Sequence, residues 1–202
     1  VIDGHLASLI IVAARTSEGV SLFAVDGDAS GLTRTSLSTM DQTRKQAKLD
    51  FDATPGKLIG AAGGGWHTLT KMLQLAVVAL ASEQMGGAQE CLDSAVQYAK
   101  DRVQFGKRIG DFQLIQEKLA RMEVARMNVQ NLVFRVMELG AAGHSMTLAE
   151  ASAMKLYSAR AASEVAMEAV QLHGGNGYMS EFRVEQLARD AKVLQIYAGT
   201  DE

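Results

Sequence analysis

The spacing of apolar and polar residues changes character once along this chain, near residue 54. Before that point the pattern is short and β-like. Ser8 to Ala13, Val20 to Val25, Leu32 to Leu37 and Gln46 to Phe51 are rich in apolar and β-branched residues. Glycine, aspartate and serine separate them, and Asp26-Gly27-Asp28 and Ser30-Gly31 are turn signals. Pro55 punctuates the chain, and the run Gly60-Ala61-Ala62-Gly63-Gly64-Gly65 predicts a flexible link.

Beyond that link the period is helical. Leu73, Val77, Leu80, Ala88, Cys91, Ala95 and Tyr98 form one stripe of a helix from about Trp66 to Arg102, ~55 Å long at 1.5 Å per residue. A second helix is predicted with Asp111 as its N-cap and Phe112, Ile115, Leu119, Met122, Val129, Val133 and Val136 as its buried face, ending at Gly140 and Gly143. Thr147-Leu148-Ala149-Glu150 fits a capping box. The helix it opens runs to about Leu172, burying Met154, Ala161, Val165 and Ala169, with Gly174 placed to stop it. A fourth helix is expected over Glu181 to Leu194. The fold class is therefore α+β, mainly α: an antiparallel four-helix bundle preceded by the last strands of a β domain. The expected division is a partial β domain over 1–54, a linker over 55–65 and a helical domain over 66–202. Four strands without a second layer would leave a sheet face wet, so the chain is expected to be an internal part of a larger protein.

Composition narrows the function classes. A chain of 202 residues with 48% hydrophobic and 21% charged residues is globular, and a net charge of −3 offers no electrostatic footprint for nucleic acid or an anionic membrane. No apolar run approaches the ~20 residues of a membrane span. Cys91, the single cysteine, cannot form an internal disulfide and suits a reducing, cytoplasmic compartment as a small buried residue. No metal site is expected.

Three segments carry candidate chemistry. In Tyr98 to Gln113, a long helix ends and another begins around Arg102-Val103-Gln104-Phe105-Gly106-Lys107-Arg108, which can hold an anion by charge and by helix N–H groups, or can be a solvated helical hairpin. In Gln171-Leu172-His173-Gly174-Gly175-Asn176-Gly177-Tyr178, the glycines permit close backbone approach, although a helix cap and turn need no ligand. The third is Arg189-Asp190-Ala191-Lys192 followed by Ile196-Tyr197-Ala198-Gly199-Thr200-Asp201-Glu202.

Together these motifs resemble the carboxyl-terminal half of the acyl-CoA dehydrogenase family, and the resemblance spans essentially the whole chain. It implies FAD as cofactor, an acyl-CoA thioester as substrate, dehydrogenation to the α,β-enoyl-CoA, and an electron-transfer flavoprotein as acceptor. By the same resemblance Arg102 contacts the FAD diphosphate, Gln104 and Phe105 line the adenosine side, and Gln113 hydrogen-bonds the cofactor. Gln171, Leu172, His173, Gly174 and Gly175 lie against a neighbouring subunit's FAD, so a homodimer or homotetramer is implied, with a hetero-oligomer as the alternative. Thr200 and Glu202 are further cofactor contacts, and Tyr197, Ala198 and Gly199 face the substrate. His173 reads as a packing residue rather than a base.

The family's proton acceptor is missing. Relatives carry a glutamate where this chain has Ala198, and a methyl group cannot take a proton. Other relatives place the glutamate on the first helix of the bundle, at the position of Ala76, with an arginine where Val77 stands. Glu83 lies on the same helical face as Ala76 but ~10 Å further along the axis, which suits a solvated or structural glutamate better than a base. The backbone N–H of residue 198, which in the family polarises the thioester carbonyl, survives the change to alanine. Two other readings therefore stand beside the dehydrogenase: a catalytically silent FAD-binding or structural subunit, and a flavin oxidase or monooxygenase on the same scaffold.

Overall fold

The computed structural model describes residues 1–201, and the chain divides into two compact units, Val1–Leu73 and Gln74–Glu202. In the first unit β1 (Leu9–Thr16), β2 (Gly19–Asp26) and β5 (Lys57–Ile59) make a three-stranded sheet in the order β1-β2-β5. The strands are antiparallel, with Ile10 opposite Val25 and Phe23 opposite Leu58. β3 (Leu32–Leu37) pairs with β4 (Gln46–Phe51) in a separate two-stranded sheet. The four expected strands are present within three residues of their predicted ends, the largest difference being β1, which runs on to Thr16.

The segment after Pro55 departs from expectation. Lys57–Ile59 is a strand, and in the glycine run beyond it Gly63 and Gly65 are packed closely against other backbone. The N–H of Gly63 donates to Ser21 Oγ at 2.8 Å, and Ser21 is wholly buried. A Cβ on Gly63 would stand 2.2 Å from the Glu18 carbonyl oxygen, and its φ is +75°, so no side chain fits there. The glycines permit a close approach of two backbones, a requirement that local composition does not distinguish from flexibility.

α1 (Gly65–Asp101) is followed by a small hairpin, β6 (Val103–Gln104) and β7 (Lys107–Arg108), and by a 3-10 turn over Ile109–Asp111. α2 (Gln113–Ala141), α3 (Leu148–His173) and α4 (Val184–Lys192) complete the second unit. Each helix reverses its predecessor. The Gln74 side chain at the start of α1 donates to the Met146 carbonyl just before α3, at 3.0 Å, while Tyr98 at the end of α1 stacks on His173 at the end of α3. Ser163 Oγ in α3 donates to the Ala191 carbonyl of α4 at 3.3 Å.

The helix stripes interdigitate in two apolar clusters. One joins Ala88, Cys91, Leu92 and Ala95 of α1 to Met122 of α2 and to Val165, Ala166 and Ala169 of α3. The other joins Val77 and Ala81 to Val129, Val133, Ala151 and Met154. Small residues dominate the buried faces of α1 and α3, and α2 and α3 are the helices whose backbones approach most closely. Leu73, expected in the stripe, is 41% exposed although it lies one turn before Val77 on the same face, because the apolar cluster that covers this face begins only at Val77. Burial pushes the Cys91 thiol up to about 12, consistent with an inert packing residue.

The helix ends are chemically explicit. Thr147 Oγ1 accepts from the Glu150 N–H at 3.2 Å while the Thr147 N–H donates to Glu150 Oε2 at 2.8 Å, completing the predicted box. α2 runs through Gly140 to Ala141 and stops at Gly143, whose φ is +85°. There His144 N–H donates to Leu139 and Gly143 N–H to Gly140, the paired bonds of a Schellman motif. Asp111 is not an N-cap: Phe112 takes that position without a side-chain bond, because the Ile109 N–H donates to the Arg102 carbonyl and draws residues 109–111 into a 3-10 turn. α4 begins at Val184, later than expected. Among the described residues no helix is long and apolar enough to cross a membrane.

Candidate functional site

Three stretches of irregular backbone stand out at the helix ends. The first is the β6–β7 hairpin. Its two central residues, Phe105 and Gly106, have φ of +54° and +78°, the signature of a type I′ turn. A phenylalanine in that region is sterically costly, and its ring is 92% exposed, so it is held away from any core of its own chain. Phe105 meets Phe112 edge to face at 6.3 Å, and Lys107 Nζ sits 4.2 Å from the centroid of Phe112. The guanidinium of Arg102 is exposed and has no recorded partner among the described residues. Gln104 and Gln113 are also exposed.

The second glycine segment lies at this same end. Tyr98 OH accepts from Asn176 Nδ2 at 3.1 Å, and the Tyr98 ring stacks on His173 at 4.2 Å with Phe182 edge-on to both. Arg102 and the Gly174 turn are thus tied through one tyrosine. Leu172 and His173 are 6% exposed, and His173 Nδ1 lies 2.8 Å from the Ala169 carbonyl, so both side chains serve packing. Gln171, Gly174 and Gly175 face outward. A Cβ on Gly174 or Gly175 would meet nothing within 4 Å, and Gly174 has φ +58°. Bare backbone is therefore offered to the outside at this turn.

The terminal loop lies elsewhere. Ala198 and Gly199 have φ of +56° and +104°, and Ala198, Gly199 and Thr200 are exposed. Lys155, two turns into α3, donates from Nζ to the Gly199 carbonyl and reaches Asp201 Oδ1 at 3.3 Å. From Lys155 to His173 α3 rises ~27 Å. The terminal loop and the Arg102–Gly174 cluster are thus at opposite ends of α3. Ala76 belongs to the terminal-loop end, beside Val77, which packs with Met154 and Ala151. Glu83 is exposed, one residue before the buried Gln84. Glu202 lies outside the described residues. A shallow recess of about 100 Å³ between α2 and α3 is lined by Lys118, which pairs with Glu168, and by Arg121 and Glu164. None of the sequence-predicted site residues lines it.

Sequence reasoning missed Lys155 and passed over Asp201. The signal was present: Lys155 precedes Ala159 by one turn and Ala162 by two in a stripe otherwise apolar or small, and a lysine there is buried only if something meets its charge.

Residues 63–202 match the model of the family described as acyl-CoA dehydrogenase, C-terminal domain. An acyl-CoA dehydrogenase of Bacillus subtilis is 35% identical over 99% of this chain and 55% of its own length. A subunit of a caffeyl-CoA reductase–Etf complex of Acetobacterium woodii is 33% identical over 92% of this chain and 50% of its own. The crystal structure of an acyl-CoA dehydrogenase from Geobacillus kaustophilus superposes with a TM-score of 0.93 at 34% identity, covering 99% of this chain and 56% of that one. The chain belongs to the acyl-CoA dehydrogenase family, a family of flavoprotein oxidoreductases whose members bind FAD. It spans about half the length of the curated relatives it matches.

Proposed function

We propose that the protein is an FAD-dependent dehydrogenase of acyl-CoA thioesters, forming the α,β-enoyl-CoA and passing electrons to an electron-transfer flavoprotein. The domain organisation in this reading is the end of a β domain over 1–54, a connector over 55–65 and the helical domain over 66–202. The donor set suits FAD. Arg102 offers an unpaired planar fork to a diphosphate, Gln113 and Gln171 offer amides, and Gly174 and Gly175 leave room for a ligand on the backbone. Gln104 and Phe105 would flank the adenosine, and Leu172 and His173 would contribute through backbone only. Thr200 is exposed and can bond the cofactor from the terminal loop. The ~27 Å rise of α3 from Lys155 to His173 supports assignment of Arg102 and the Gly174 turn to a neighbouring copy's cofactor, and hence a dimer or tetramer. FAD, when bound, supplies the acceptor for hydride from the substrate β-carbon.

The observation that carries this reading is the N–H of Ala198. It sits in an exposed turn, and none of the backbone bonds recorded among the described residues uses it. A free donor held in a fixed turn is what a thioester carbonyl requires as negative charge develops on its oxygen. Tyr197 and Gly199 would border the same substrate.

A second reading is favoured by one observation: Ala198 and Ala76 occupy both usual base positions, and Glu83 points outward on α1. In that reading the protein is an FAD-binding subunit that depends on an active homologue. The test is anaerobic addition of short-, medium- and long-chain acyl-CoAs to the full-length FAD-loaded protein. Bleaching of the oxidised flavin band supports the dehydrogenase. No bleaching at any length, with activity restored on mixing with a homologue, replaces it by the second reading. Fast reoxidation of the reduced flavin by oxygen would mark an oxidase.

A further inference from the structure

Lys155 is 5% exposed in an α3 face otherwise made of Ala151, Met154, Ser158 and Ala162. A buried ammonium persists only where acceptors replace its water. Both acceptors come from the terminal loop: the Gly199 carbonyl and the Asp201 carboxylate, whose side chain is 9% exposed. Asp201 is in turn held from outside. Arg160 Nε lies 3.4 Å from Oδ2, and Arg160 Nη2 donates to the Asp201 carbonyl at 3.2 Å. The Ser158 hydroxyl is occupied by the Met154 carbonyl at 2.8 Å and does not compete.

The rest of the loop is sparsely bonded. Its flanks are secured by Tyr197 N–H to the Val193 carbonyl and by Asp201 N–H to the Gln195 carbonyl, both at 3.1 Å. Between them, over Ala198, Gly199 and Thr200, the recorded bond among the described residues is the one from Lys155. This is also where the backbone enters the left-handed region at two successive residues, one of them not glycine. Such a conformation is strained at a non-glycine residue and persists only where surroundings over-determine it.

We propose that Lys155 is a positioning residue for the substrate site. By fixing the Gly199 carbonyl it locks the left-handed Ala198–Gly199 turn and so aims the Ala198 N–H, while Asp201, braced by Arg160, orients the ammonium. The proposal rests on the reading of Ala198 N–H as the thioester donor. In a chain without a carboxylate at 198 the aim of that N–H is the chemical contribution the loop retains.

The test uses the full-length FAD-loaded protein with Lys155→Met, Lys155→Arg and Asp201→Asn. Amide hydrogen exchange over residues 196–201 is expected to speed at least tenfold in Lys155→Met, with exchange in α2 and flavin content unchanged. Acyl-CoA-dependent flavin bleaching should slow at least tenfold in kcat with KM changed less than threefold, and Lys155→Arg should recover most of both. Asp201→Asn keeps the Gly199 bond and is expected to shift both readouts the same way by a smaller factor, which preserves the test if Lys155→Met does not fold. Unchanged exchange in either folded Lys155→Met or Asp201→Asn overturns the clamp. Faster exchange with unaltered kcat overturns its role in the reaction. A wild-type protein that no acyl-CoA bleaches overturns the functional reading instead, and the exchange experiment still decides the clamp.

Discussion

Phe105-Gly106 and Ala198-Gly199 use the same local device, a non-glycine residue at positive φ followed by a glycine at positive φ, and hold it in different ways. At the hairpin the strain is contained by the ladder itself, with Val103 opposite Arg108 and Gln104 opposite Lys107. In the terminal loop no strand among the described residues flanks the turn, and a buried lysine from α3 reaches across instead. The difference follows from what each turn presents. The hairpin pushes out a large ring and leaves a free arginine behind it, so local pairing suffices. The terminal loop presents a backbone N–H, whose direction depends on peptide orientation and needs a fixed external anchor.

This comparison can be broken at several points. Ala198→Glu should have the largest effect. If the turn is arranged as proposed, a carboxylate at 198 acquires general-base function, worth about 10²–10⁴ in rate. Acyl-CoA-dependent flavin bleaching measured by stopped flow should rise about a hundredfold or more, and failure would mean that the turn does not face the substrate. Arg102→Ala tests the other loop. Loss of one charge-assisted contact of about 1.5–3 kcal/mol should weaken FAD binding roughly 10- to 150-fold. Because the side chain is exposed and without a recorded partner, the thermal midpoint of the apoprotein should stay put, and a large drop would assign Arg102 to structure.

Smaller effects separate strain from packing. Thr147→Ala removes the N-cap of α3, the helix that carries Lys155, and should cost about 1 kcal/mol in urea unfolding. The Thr147 N–H and hydroxyl hold the Glu150 carboxyl below its ordinary value of 4.5. A depressed carboxylate contributes stability above its unfolded value, and loses it as pH falls through its folded value. The gap between wild type and Thr147→Ala should therefore be full near neutral pH and narrow below about 4.5. Phe105→Asn should have the smallest effect, raising stability by roughly 0.5–1 kcal/mol, because asparagine tolerates the left-handed region better. A loss of stability there would show that the ring packs within its own chain.

Much of the fold was legible because it depends on short-range repetition. The stripe through Met154, Ala161, Val165 and Ala169 is buried as its spacing requires, and the Thr147–Glu150 box forms because both partners lie within one turn. The strand at Lys57–Ile59 was hidden by its brevity and by glycines that look like a linker. Asp111 was misread as a cap because its neighbours are recruited by the hairpin, through a bond between residues 102 and 109 that no window around Asp111 contains. The candidate site divides the same way. Arg102 and the Gly174 segment were recognisable as motifs, whereas Lys155 looked like one more helical residue.

By itself the sequence determined the helical bundle, the Thr147–Glu150 box, the family and the absence of a carboxylate at positions 198 and 76. These are properties of residue identity and of spacing over a few turns. Tertiary structure alone decided that Arg102 and the Gly174 turn share one end of the helical unit, that Ala198 lies ~27 Å of helix away, and that a buried lysine meets the loop carrying it. Those facts depend on which residues far apart in the chain come within hydrogen-bond reach, and only the packing of α1, α2 and α3 against one another sets that.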